Sequence, residues 1–359
     1  MSQLRVGILA GARFPIREPY AGGMEAHTHA LARQLMALGH DIMLFASDGP
    51  DDVPTVPLQP ALSLSDAARR DVSMPPERFI AEHHAYLHLL LQLGAHDLDV
   101  LHNNSLHYLP VAMAPMLNVP VVSTLHSPPT PWLESAYAAA ATMTARPRTV
   151  SVSQRNARLW RSTVAVDRVI HNGVDTDLWS PRDGRRTGLV WSGRIVPEKG
   201  VHLAIAAARL LDASLTIAGP VHDRAYFDQV VQPALGARVR YAGHLSAEEL
   251  ARTVSSAEVA LVTPQWEEPY GLVVAESLAC GTPVAAIGRG AIPELLTTET
   301  GCVASTGSAP ALAAATIAAR ALDGNACREW ALRAASARVM AERYVDFYEQ
   351  ALAEHALAA

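Results

Sequence analysis

Short apolar runs alternate with longer amphipathic ones from the beginning of the chain. Residues 4–10 are largely apolar and predict a strand, residues 23–38 carry apolar positions at helical spacing, Gly39 supplies a stop, and residues 42–46 return to a strand. This is a βαβ opening. Residues 100–102, 119–125 and 149–152 are apolar without alternation, as parallel strands covered on both faces should be, and the order predicts an α/β sheet. A turn-rich stretch follows His171-Asn172-Gly173 and ends in Ser180-Pro181-Arg182-Asp183-Gly184, after which a second βα series begins at residue 189. In that series strands are predicted at 189–192, 215–218, 239–241, 259–262 and 284–287, with helices at 200–211, 247–256 and 272–280. Ser246 and Glu249 form an S-x-x-E capping box at the head of the second of these helices. From residue 309 the chain is Ala-rich and helical in period, interrupted at Gly324, and its last stretch carries Tyr344, Phe347, Tyr348 and Leu352 on one stripe. Residues 50–76, rich in Pro, Asp and Ser, predict a surface excursion of the first half.

A length of 359 residues agrees with two such units, and a chain that is 50% hydrophobic and 18% charged is folded rather than disordered. The net charge of −6 without a long Lys/Arg run excludes nucleic acid as the principal partner. Cys280, Cys302 and Cys327 are an odd, scattered set without CxxC spacing, which predicts reduced, buried thiols in a cytosolic protein and no disulfide. The apolar run at the N-terminus is too short for a membrane span or a signal peptide.

Four features carry chemistry. In EEPYGLVVAE, Glu268 lies on a loop after the 259–262 strand and Glu276 in the first two turns of the next helix, so the two carboxylates reach one pocket from different elements. Between them the amides of Gly271, Leu272 and Val273 are free at a helix N-terminus, where a phosphate is the natural guest. At the end of the 189–192 strand, SGRIVPEKG offers the planar fork of Arg194 and the point charge of Lys199, suited to a diphosphate leaving group; Glu198 is the ready partner for a simple loop salt bridge. Gly22-Gly23 precedes the first helix, where backbone can approach phosphate closely, but neither it nor Gly7–Gly11 matches G-x-G-x-x-G, which disfavours a nicotinamide cofactor. His126 ends a strand at the working edge of the sheet, with His102 and His107 in similarly ambiguous places. His84 and His88 sit four apart without an H-E-x-x-H pattern, so zinc is excluded. Asp97-Leu-Asp99 and Asp175-Thr-Asp177 could hold a divalent metal, although turn and cap roles suit their positions better.

Together the glycine pair, SGRIVPEKG, the HNGVD junction and the E-x7-E of EEPYGLVVAESLACGTPV resemble the family 4 glycosyltransferases, retaining enzymes of the GT-B fold. The resemblance implies two Rossmann-like, doubly wound parallel-sheet domains facing across a cleft. An acceptor-side domain would span 1–173 plus a crossing helix at 341–359, and a donor domain 174–340. It implies that Arg194 and Lys199 bind the donor diphosphate, Glu276 the ribose and Glu268 the sugar hydroxyls. Tyr270, Gly271 and Leu272 would complete the donor cradle, Gly23 would give its amide from the opposite domain, and His126 would contact the sugar's C6 hydroxyl. Segments 50–93 and 128–148, which the resemblance does not reach, would carry acceptor recognition. The implied reaction is metal-independent front-face transfer of a hexosyl group from a nucleotide-sugar, a UDP-sugar first and GDP-mannose next, with no resident cofactor. The acceptor hydroxyl could belong to a glycan, a lipid-linked sugar or a small metabolite, in the cytoplasm or at the inner membrane surface. The rival readings are a GT-B sugar-nucleotide epimerase or phosphorylase and a catalytically silent nucleotide-sugar-binding partner.

Overall fold

Fully apolar short strands need cover on both faces, and the chain provides it twice. The structure, a computed structural model, describes residues 3–58, 63–73 and 75–358. Among these, one parallel sheet contains β1 (Arg5–Leu9), β2 (Asp41–Ala46), β3 (Thr55–Pro57), β4 (Val100–Asn103), β5 (Val121–Leu125), β6 (Arg148–Ser151) and β7 (Arg168–Val169). A second contains β8 (Leu189–Ser192), β9 (Leu215–Ala218), β10 (Val239–Tyr241), β11 (Val259–Val262), β12 (Val284–Ile287) and β13 (Gly301–Ala304). The orders are β3-β2-β1-β4-β5-β6-β7 and β10-β9-β8-β11-β12-β13. Each order reverses once, between β1 and β4 and between β8 and β11, and such switch points open a crevice at the carboxyl ends of the strands. The chain therefore has the two doubly wound parallel sheets expected from its hydrophobic pattern.

Ten longer helices cover the sheets: α1 (Gly23–Ala37), α2 (Glu77–Gln92), α3 (Pro131–Ala140), α4 (Gln154–Trp160), α5 (Val201–Leu210), α6 (Ala247–Ser255), α7 (Leu272–Ala279), α8 (Ala309–Ala319), α9 (Gly324–Ala334) and α10 (Ala337–Ala358). The capping box at the head of α6 is complete: Ser246 accepts from the Glu249 amide and Glu249 accepts from the Ser246 amide. Three strands depart from expectation, one of them the two-residue β7 at the far edge of the first sheet. Within the segment predicted to be a surface excursion, β3 adds to the edge of β2, with Thr55 opposite Leu44. β13 pairs with β12 from Gly301 to Ala304 although no strand is predicted there. All three are edge strands whose pairing comes from a neighbour rather than from their own periodicity.

The stripe on the last helix decides how the halves are joined. Tyr344, Phe347 and Tyr348 of α10 are fully buried among Val6, Ile8, Val100, Val122 and Val150 of the first sheet, although α10 follows the second sheet in the chain. Thr124 Oγ1 and Tyr344 Oη are 3.0 Å apart, and Tyr348 Oη lies 2.6 Å from His102 Nδ1, whose other nitrogen meets Thr124 Oγ1 at 2.8 Å. His102 thus anchors the crossing helix. The two chain crossings run side by side: the Val174 amide donates to Ala335 O (2.8 Å) and the Ala337 amide to Val174 O (2.9 Å). Tyr348→Phe leaves one nitrogen of a buried imidazole unsatisfied and should cost about 1–3 kcal/mol in urea unfolding. A loss below ~0.5 kcal/mol would show that the hydrogen bond does not hold α10 in place.

Candidate active site

A cleft of about 830 Å³ lies between the carboxyl ends of the two sheets, lined from one side by the loop before α1 and from the other by those after β8 and β11. Arg194, Lys199, Glu268, Tyr270, Gly271, Leu272 and Glu276 reach it from the second half, and Gly23 and His126 from the first. Every residue singled out for the donor therefore converges on one cavity.

The loop after β8 is tied to the loop after β11 by Thr263. Its hydroxyl accepts from Trp191 Nε1 (2.9 Å) and donates to Lys199 O (2.8 Å). Lys199 does not pair with its sequence neighbour Glu198. Its Nζ sits 2.6 Å from Glu268 Oε2 and 5.2 Å from the centre of the Trp266 ring, and Trp266 Nε1 donates to the same carboxylate oxygen at 3.0 Å. The two loops are tied again where Gln265 N donates to Glu198 O (2.7 Å). Two donors converge on Oε2, and Glu268 keeps Oε1 for another partner.

α7 starts without a side-chain cap, on Gly271 at φ +98°. A Cβ there would lie 2.5 Å from Ile292 Cδ1, so only glycine fits this turn. The unpaired first-turn amides and the helix dipole favour an anion at that end. Glu276 lies one turn further along α7, half-buried, and burial pushes its pKa up to about 7. Across the cleft, Gly23 opens α1 so close to Leu272 that a Cβ on it would stand 3.0 Å from Leu272 Cδ1. Tyr270 is only 3% exposed, packed near His171 with its hydroxyl unpartnered. His126 offers Nε2 to Asn104 Oδ1 at 2.9 Å and packs edge-on to His27; burial lowers its pKa far below the usual histidine value, so the ring is neutral.

Residues 21–178 match the family Glycosyltransferase Family 4, and residues 180–335 match Glycosyl transferases group 1. The glycogen synthase of Mycobacterium tuberculosis is 29% identical over 375 residues, spanning 89% of this chain and 87% of that protein. Among solved structures, the sucrose-phosphate synthase of Thermosynechococcus elongatus superposes with a TM-score of 0.78 at 22% identity, covering 97% of this chain and 99% of that one. HepE of Anabaena, solved in complex with UDP-glucose, superposes with a TM-score of 0.74 at 15% identity, covering 97% and 100%. The chain belongs to the GT-B glycosyltransferases.

Two groups of this glycosyltransferase escaped the sequence reading. Glu25, in the first turn of α1, is 5% exposed and lies opposite Arg194; burial raises its pKa, while its own amide, Arg194 and the Gly22 amide pull the other way. The signal was a carboxylate two residues after a helix-opening glycine pair. Trp266 escaped because nothing marks a loop indole as the second donor to Glu268. The outer lip of the cleft is bridged where Ala247 N donates to Glu18 Oε2 (3.0 Å) and His244 Nε2 lies 3.1 Å from Tyr20 O.

Other candidates take local roles. Asp175 accepts from the amides of Asp177 (3.0 Å) and Leu178 (3.3 Å), and Asp97 and Asp99 pair with Arg5. Among the described residues no three His, Cys, Asp or Glu side chains converge as metal ligands do, and no helix is long and apolar enough to cross a membrane. The three cysteines are free; Cys280 and Cys327 are buried as expected, whereas Cys302, on the edge strand β13, is only partly so.

Proposed function

We propose that this glycosyltransferase is a retaining hexosyltransferase. It takes a hexosyl group from a nucleotide-sugar, a UDP-sugar in the first instance and GDP-mannose next, and passes it to an acceptor hydroxyl without a metal ion. In this reading residues 1–173 with 341–359 form the acceptor side and 174–340 the donor side, in the cytoplasm. The observation that carries it is the Lys199–Glu268 pair beside Arg194 at the mouth of an uncapped helix. Two cations beside a helix N-terminus suit a diphosphate, and a carboxylate with a spare oxygen suits a sugar hydroxyl. The use of lysine there is selective, because Lys199 is the chain's single lysine and every other member of its Lys/Arg set is arginine. Arginine and lysine differ in shape and hydration, so a lone lysine in an arginine chain marks a place that needs a compact point charge. The UDP-glucose complex of the structurally similar HepE supports a uridine donor.

On this reading Arg194, Lys199 and the amides of Gly271 and Leu272 hold the diphosphate. Glu276 accepts from the ribose hydroxyls, Glu268 Oε1 from the sugar hydroxyls, and Tyr270 packs behind them. Closure brings in the Gly23 amide and places His126 against the sugar. The C1–oxygen bond to the diphosphate breaks and the acceptor oxygen bonds C1 from the same face. The departing phosphate oxygen takes the acceptor proton while Arg194 and Lys199 stabilise the charge that develops.

A thermal-shift panel of UDP-, GDP-, ADP- and dTDP-sugars tests the donor. A ligand at ~100 Kd adds ~2.7 kcal/mol of stability and moves the midpoint by several degrees. One nucleotide family should shift the protein, and transfer should persist in excess EDTA. No shift at millimolar concentration defeats the donor assignment, and loss of product in EDTA defeats metal independence. Anomeric analysis of the product by NMR decides retention, and product formed without any acceptor would point to an epimerase.

A further inference from the structure

Opposite the donor groups, the first half of the chain builds a wall of a different character. Trp132, in the first turn of α3, is 61% exposed and stacks on Tyr108 (centroids 5.9 Å apart, 23° between planes) and against Phe79 of α2 (5.9 Å). The stack continues inward through Tyr108–His107 (4.8 Å, 22°) and His107–Tyr86 (4.4 Å, 25°). His107 within the stack is held neutral, its pKa pushed down to about 4 chiefly by burial. Phe79, Tyr108 and Trp132 line the same cleft as the donor groups, and Trp132 follows His126 by six residues along the loop that leads out of β5. Beside the stack, Arg13 Nε chelates both oxygens of Glu82, at 3.0 and 2.9 Å.

A large exposed indole backed by two further rings is not how a soluble protein normally finishes a surface. Stacked rings hold one another rigid, so the outermost face is preorganised for a flat apolar partner. The charge balance narrows the partner further. Among the described residues that line the cleft from the first half, Arg13 is neutralised by Glu82, and Arg33 by Asp52 (3.1 Å) and Asp175 (3.3 Å). A phosphorylated or carboxylated acceptor would find no unpaired arginine on this wall. The paired guanidinium and carboxylate still present donors and acceptors side by side, which suits vicinal hydroxyls rather than a plain aromatic ring.

Resting on the transferase reading above, we propose that this wall is the acceptor subsite and that it selects an uncharged sugar, whose pyranose C–H face lies on Trp132 while its hydroxyls bond the Arg13–Glu82 pair. The step from wall to specificity is steric and electrostatic: the ring face fixes which hydroxyl points toward the donor carbon beside His126, and the balanced ion pair gives a phosphate nothing to gain.

The test uses the full chain with whichever nucleotide-sugar shifts its melting midpoint. Release of the nucleoside diphosphate is followed with neutral mono- and disaccharides (glucose, mannose, maltose, sucrose) and with glucose 1-phosphate, glucose 6-phosphate and inositol 3-phosphate. Neutral sugars should stimulate release more than any phosphorylated compound. Trp132→Ala should raise the KM for the best neutral acceptor about tenfold, the worth of a good ring stack, with donor affinity unchanged. Trp132→Phe should recover most of that loss. A preference for a phosphorylated acceptor overturns the proposal, as does an acceptor KM unmoved in Trp132→Ala. Donor binding and slow donor hydrolysis with no stimulation by any neutral sugar also overturn it, while leaving the transferase reading intact. Absence of donor binding at all is the separate failure of that reading.

Discussion

Replacing Lys199 by alanine is expected to lower kcat by about 10²–10³-fold, the usual loss for one preorganised donor to developing charge, with a much smaller change in acceptor KM. The pair it breaks is partly buried: side-chain exposure is 21% for Lys199 and 12% for Glu268. Removing the ammonium leaves the Glu268 carboxylate with only the Trp266 indole as donor, so the variant should also lose about 1–3 kcal/mol of stability. Stability and catalysis can then be separated. Lys199→Met with Glu268→Gln removes both charges and should restore most of the stability while restoring none of the activity. Recovery of activity in the double variant would mean that the pair is only a strut. Lys199→Arg keeps the charge but replaces a compact ammonium with a planar fork 2.6 Å from Glu268, and should remain at least tenfold impaired. Because the chain has one lysine, an amine-selective acylating reagent can react only there and at the N-terminal amine. Acylation at Lys199 should track loss of turnover, and the donor nucleotide-sugar should protect against both. Full activity in a chain acylated at Lys199 removes the diphosphate role.

The pairing of Lys199 also shows where reading along the chain reaches its limit. Glu198 is one residue away and was the obvious partner, yet the carboxylate that meets the ammonium is 69 residues on, brought there by the parallel pairing of β8 with β11. What the pattern conveyed well were buried strands and helix starts. β8, β9, β11 and β12 coincide with apolar runs because burial on both faces leaves little room for alternation, and α6 begins at its capping box. β3, β7 and β13 stayed hidden because two to four residues at a sheet edge owe their conformation to one neighbour. The donor groups were legible because they are clustered in two short motifs. The aromatic wall was not, because Phe79, Tyr108 and Trp132 come from three separate segments and each alone reads as an ordinary core or surface ring. Glu25 is an intermediate case. Its place after two glycines was visible, but its burial and its position opposite Arg194 of the second half are tertiary.

Glu276→Gln is expected to change two pH dependences in opposite directions. Burial raises this carboxyl from the model-compound value of 4.5 to about 7, so the folded protein holds a proton that the unfolded chain has already released. Folding then takes up a proton between about pH 4.5 and 7. Stability therefore falls as pH rises through that window and is flat above it, by at most ~3 kcal/mol, since part of the side chain faces the cleft. Glutamine carries no such penalty, so the variant should gain on the parent steadily up to pH 7 and hold a constant advantage above. Donor binding runs the other way. An ionised carboxylate accepts the ribose hydroxyls more strongly than a neutral acid, and the diphosphate of an intact nucleotide-sugar remains ionised throughout. Donor affinity of the parent should therefore rise with pH and level off above about 7, and the glutamine variant should bind about tenfold more weakly at pH 8 without that slope. Glu25 is the other cleft carboxyl raised by burial, and its ionisation opposite Arg194 would weaken diphosphate binding, a sign opposite to that of Glu276. Urea unfolding and calorimetric titration of a nucleotide-sugar between pH 5 and 8 measure both effects. A parent whose affinity falls over that range, or an unchanged slope in the glutamine variant, removes Glu276 from the ribose.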